Sequence, residues 1–105
     1  EGMGRQYQVI AKHSEGATLE PMGTRSQIAD DLGTMNIHPQ TPEGAVLYGP
    51  GVTIEPMEMD GEVQQMMLTH VESEIAWFVT ERILRTFPWK LRDLEDGREI
   101  ALMPD

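Results

Sequence analysis

The stretch from Ser73 to Phe87, SEIAWFVTERILRTF, followed at once by Pro88, constrains this chain more than any other. Projected at 100° per residue, Ile75, Ala76, Val79, Ile83 and Phe87 fall within about 120° of one another, the apolar stripe of a helix with one face to bury. Trp77 and Leu84, seven residues apart, form a second stripe that widens this face. Ser73 sits where an N-cap belongs, and Glu74 puts a negative charge in the first turn. Glu81 and Arg85 form an i,i+4 pair away from the core. Pro88 lacks the N–H that would continue the helix and restricts Phe87 before it.

A helix with one apolar face needs a second layer, and the flanking segments supply it. Val52–Met57 alternates like a strand, with Pro56 expected to end it. Glu62–Val71 reads as its partner across Asp60-Gly61, a hairpin turn in which glycine tolerates positive φ. After the helix, WKLRDLEDGREIAL reads as a hairpin over about residues 89–103. With Asp96-Gly97 as a two-residue turn, Asp93 pairs with Ile100 and Leu91 with Leu102. Trp89, Leu91, Ile100 and Leu102 then share one face.

The N-terminal half is less regular. Arg5–His13 alternates Tyr7, Val9 and Ala11 against Gln8, Ile10 and Lys12, as a strand does. Residues 14–47 are loop-rich, with one short helix in TRSQIADDLG, where Thr24 is the cap, Ile28 and Leu32 point inward and Gly33 is the stop. Two acids late in that helix oppose its dipole. Residues 34–44, with Pro39 and Pro42, read as irregular.

The sum is an α+β fold of two layers: a mainly antiparallel sheet, one main helix over about 73–87 packed on a face, and a C-terminal hairpin. At 105 residues the chain suits a single small domain over 1–105. Its 39% hydrophobic and 25% charged residues are those of a folding chain. It begins with Glu1 instead of Met, which reads as one domain taken from a longer protein.

Charge and chemistry narrow the function. Acids outnumber bases 18 to 8, a formal charge of −10, which repels nucleic-acid backbones and anionic membranes. Arg82, Arg85, Lys90 and Arg92 are interleaved with Glu81, Asp93, Glu95 and Asp96, so they read as a solvated face. With no cysteine, disulfides, thiolate metal sites and thiol nucleophiles are excluded. That absence fits a reducing compartment, so a cytoplasmic location is the expectation. No apolar run approaches the ~20 residues of a membrane helix, and EGMGRQYQVI has no apolar signal region.

YGPGVTIE resembles a phosphate loop only in its glycines. Pro50 removes a donor, a strand follows, and no Lys-Ser/Thr pair is present, so it reads as a bend. No serine lies in a nucleophile-elbow context. The acids at Asp60-Gly61 and Asp96-Gly97 fail the calcium-loop pattern, with Met57, Met59, Arg92 and Leu94 where ligands belong. His13, His38 and His70 have no partner at ligand spacing. His70, beside Glu72 and Glu74, is the weak ligand candidate, with His13 and Glu72. Its plainer reading is a strand-end residue in contact with water.

Interface candidates are better supported. Phe78 projects opposite the apolar arc, so it is the large side chain expected in solvent. Trp77 and Leu84, on the second stripe, are the other side chains of the helix expected as partner anchors. Met66 and Met67 are adjacent on a strand and face opposite ways, so one of them points away from the main core. The expected function is a non-enzymatic protein-interaction or self-assembly domain, with a protein partner or itself as ligand, no catalytic residue, no metal and no cofactor. The alternative is a small-ligand or metal-binding domain, or part of a larger enzyme, using His70 and nearby acids.

Overall fold

Alternating side chains and left-handed turns build the sheet. The computed structural model describes residues 5–104. In chain order the elements are β1 (Arg5–Ala11), α1 (Arg25–Gly33), β2 (His38–Pro39), β3 (Leu47–Gly49), β4 (Val52–Met59), β5 (Glu62–His70), α2 (Ser73–Thr86), β6 (Trp89–Asp93) and β7 (Glu99–Ile100). The seven strands form one sheet in the order β2-β3-β4-β5-β1-β6-β7, every neighbouring pair antiparallel. β1 lies between β5 and β6, which are therefore parallel to each other, and α2 carries the chain over β1 from one to the other. This is the expected α+β architecture with its main helix on one face.

The register sorts the two faces. Tyr7 opposes Leu68, Val9 opposes Met66 and Leu91, and Ile54 opposes Leu47 and Leu68. These side chains are buried together with Ile28 and Leu32 of α1 and Ala76, Ile83 and Leu84 of α2. Both helices thus cover one face. Gln6, Gln8, Gln65, Met67, Thr69, Lys90 and Arg92 occupy the other. There Lys90 and Arg92 converge on Glu99 at 2.8 and 2.9 Å, so only Arg82 and Arg85 of the basic cluster form a solvated face.

Asp60 and Gly61 turn the β4–β5 hairpin with φ of 56° and 84°, the paired left-handed residues of a type I′ turn. A bulge between Met57 and Glu58 shifts the ladder by one residue and brings Val63 into the core. Pro56 does not end β4, which runs on to Met59. β3 pairs only as far as Ile54, so β4 is an edge strand beyond that point, where a missing donor costs little.

Four further expectations need correction. Ser73 is not a cap but the first residue of α2. Glu72 holds the N-cap position with no side-chain bond to the helix. The Gly51 carbonyl braces this end instead, accepting from Val71 and Glu72 at 2.7 and 3.1 Å. Second, Ile75 is largely exposed, because α2 is rotated to centre Ala76, Thr80, Ile83 and Leu84 on the sheet. Third, Leu91 pairs with Ile100, not Leu102. The turn is a four-residue loop, Leu94 to Gly97, in which Asp93 N–H donates to the Arg98 carbonyl and Gly97 N–H to that of Asp93. A two-residue slip preserves each side chain's face, so periodicity could not detect it. Fourth, residues 34–44 contain the short edge strand β2.

Two readings hold in detail. Thr24 caps α1 in a reciprocal box with Gln27, and Ile28 and Leu32 are fully buried. The glycine-rich stretch is the tight turn between β3 and β4, with Gly49 paired to Val52 and Gly51 at φ +72°.

Candidate functional site

The rotation of α2 that buries Thr80 leaves several apolar side chains in solvent. Phe78 is 72% exposed, with Ile75 and Trp77 less so beside it and Val71 exposed just before the helix. Each helical turn returns to the same side after 3.6 residues, so Glu74 and Glu81 lie within about 60° of Phe78 in projection. Glu74, Trp77, Phe78 and Glu81 enclose a shallow concavity of about 490 Å³. It is a surface hollow on one helix face, with aromatic walls and a carboxylate at each end.

Trp77 also borders a second hollow. Between α2 and the strands, Arg5, Tyr7, Trp77, Leu91, Asp93, Asp96, Arg98 and Ile100 line a groove of about 280 Å³. One Arg5 nitrogen (Nη2) lies 2.6 Å from Asp93 Oδ2 and 3.4 Å from Glu95 Oε1, and its guanidinium sits 5.6 Å from the Tyr7 ring centroid. The groove pairs charges of both signs above an aromatic floor.

Behind Trp77 the structure places His70, which is buried and not at the water interface expected of a strand end. Its ring lies 4.8 Å from Tyr7 and 4.6 Å from Trp77, nearly perpendicular to the indole. Nε2 is 2.9 Å from Thr80 Oγ1. Burial holds the imidazole below its ordinary pKa, and the nearby Arg5 charge acts in the same direction. Burial likewise raises the Tyr7 phenol.

The ligand candidates do not converge. His13 is exposed beyond the opposite end of β1 from Arg5, the residue that pairs with His70, so roughly 20 Å of strand separates them. Glu72 is exposed at the start of α2. Among the described residues no three His, Asp or Glu side chains gather as a metal would require.

Of the interface candidates, Trp77 and Phe78 share one surface. Leu84 and Met66 are about 1% exposed and belong to the core. Met67 lies half-buried on the opposite sheet face, between Gln8 and Glu55. Sequence pattern does not single out Arg5, Tyr7, Thr80 or Asp93. Each lies far along the chain from the side chain it meets, except Thr80, a lone hydroxyl in an otherwise apolar helix stripe. No described helix is long and apolar enough to cross a membrane. No protein-family model matches the chain, and no curated protein or solved structure gives a match.

Proposed function

We propose that this is a non-enzymatic protein-interaction domain that engages its partner through the outer face of α2. One observation carries the reading: Phe78 is 72% exposed on the side of the helix directly away from the core, next to a partly exposed Trp77. An isolated apolar side chain in water needs no explanation. Ile75 lies one turn from Phe78 and Trp77 shares a hollow with it, however, and exposed apolar side chains rimmed by charge are characteristic of contact sites. Aromatic anchors also dominate the energetics of such contacts.

The small-ligand alternative draws its support from the groove beside Trp77. At about 280 Å³ that groove falls just under the usual range of roughly 300–1,000 Å³ for small-molecule sites. It opens onto Arg5, Tyr7 and Asp93, while the His70 nitrogen is turned to Thr80.

The test is site-specific photo-crosslinking. A benzophenone side chain at position 78 is expected to give a covalent protein adduct in native extract, and the same group at exposed Glu58 is not. Equal labelling at both positions, or none at position 78, removes the proposal.

A further inference from the structure

The hollow around Phe78 carries charge of one sign at both ends, and that restricts what can fill it. Resting on the reading of α2 as the contact surface, we infer that its partner is a basic segment of another protein. An Arg or Lys side chain of that segment lies over the Trp77 and Phe78 rings, between Glu74 and Glu81.

Three observations converge on this occupant. The walls consist of two aromatic rings and two carboxylates. Aromatic faces attract cations, and carboxylates about 10 Å apart along the helix, seven residues at 1.5 Å each, receive the same cations from either side. Glu81 and Arg85 do not form the ion pair expected from their spacing, and neither Glu74 nor Glu81 takes part in an ion pair among the described residues. The formal charge of −10 steers cationic partners toward the chain from a distance.

Other occupants fit worse. A purely apolar partner would strip water from two carboxylates without replacing it. A second copy of this chain, docked antiparallel across Phe78, would bring Glu74 of each copy against Glu81 of the other. Residues on the same flank of the helix meet in that geometry, and the like charges there oppose association with only Arg85, one turn beyond Glu81, as counter-charge.

The experiment titrates the chain with three amidated hexapeptides, alternating Arg/Gly, Lys/Gly and Glu/Gly, followed by calorimetry and tryptophan emission. Binding is expected for the Arg and Lys peptides and not for the Glu peptide. The double variant Glu74→Gln/Glu81→Gln is expected to weaken Arg-peptide binding about fivefold or more. The double variant Glu58→Gln/Glu62→Gln removes the same two charges from the exposed β4–β5 turn and is expected to leave binding within about twofold. Phe78→Ser, exposed and free of packing constraints, is expected to weaken binding while leaving the fold intact.

Equal losses in the two double variants overturn the inference, because binding would then follow net charge alone. So do binding of the Glu peptide and a wild-type dimer in sedimentation that Phe78→Ser dissolves. A crosslink at position 78 to a partner segment without Arg or Lys also overturns it, yet leaves the α2 reading standing. Absence of any crosslink removes both.

Discussion

The rings of His70 and Trp77 meet edge to face, their centroids 4.6 Å apart and their planes 88° to one another, while His70 Nε2 bonds Thr80 Oγ1 one turn further along the same helix. The end of β5 is thereby tied to α2 by a polar contact inside an aromatic cluster. Trp77 is shared between that cluster and the outer surface, so the position of the surface depends on the buried imidazole.

This arrangement makes stability depend on pH in a definable direction. The folded-state pKa of His70 is lowered by burial, so the folded chain favours neutral imidazole more than the unfolded chain does. The contribution is fully present above the ordinary value of 6.5. As pH falls below it the unfolded state takes up the proton first, and the contribution is lost as pH passes through the lower folded-state value. Urea unfolding at pH 7 and pH 5 is expected to show this loss in the wild type and a shallower pH dependence in His70→Gln. Identical slopes in the two proteins would show that His70 is not the group responsible.

Thr80 is expected to matter more than an exposed threonine would. Thr80→Val keeps the shape and removes the hydroxyl, leaving a buried imidazole nitrogen without its partner, at a cost of about 1–3 kcal/mol. Thr80→Ser retains the bond and is expected to recover most of that loss. Chemical denaturation of the two variants side by side decides the matter.

Two turn glycines separate backbone strain from steric conflict. Gly61 has φ +84° and open space within 4 Å of where a Cβ would sit, so Gly61→Ala meets the conformational penalty alone, about 1 kcal/mol. Gly51 has φ +72°, and a Cβ there would lie 3.0 Å from Ala76 N and 3.1 Å from the Glu72 carbonyl. Gly51→Ala is expected to be clearly the more destabilising of the two in thermal melts. It is also expected to disturb the start of α2, visible as faster amide exchange at Val71 and Glu72, whose N–H groups bond the Gly51 carbonyl.

Core and contact roles on α2 are expected to separate by single substitutions. Leu84→Ala empties a fully buried site and is expected to cost about 2–5 kcal/mol. Phe78→Ser is expected to change stability by no more than about 0.5 kcal/mol, since the ring is mostly in water already. A large melting-point drop in Phe78→Ser would mean that the ring is packed and not available to a partner.

Much of the architecture was legible because its signals are local. The period of α2 and the proline after it, the Thr24 and Gln27 cap, and the Asp60-Gly61 turn each lie within a few residues of the structure they specify. The exposure of Phe78 followed from its angle alone, since any apolar arc leaves its opposite side in water. Ile75 was misplaced because counting apolar residues ignores Thr80, and the hydroxyl's bond to His70 turns the helix toward it. The C-terminal register slipped by two because Asp93 and Gly97 close a wider loop with backbone bonds that no residue pattern announces.

By itself, the sequence determined the two helices, the strands other than short β2 and β3, and the exposure of Phe78 on α2, since periodicity and turn chemistry act between near neighbours. Only the tertiary structure decided that β1 enters the sheet between β5 and β6, that His70 is buried against Trp77, and that Arg5 reaches Asp93. Those contacts join residues as much as 88 positions apart. Their free energy comes from burying surfaces together, and even His70 and Trp77, seven positions apart, meet only once β5 and α2 have packed.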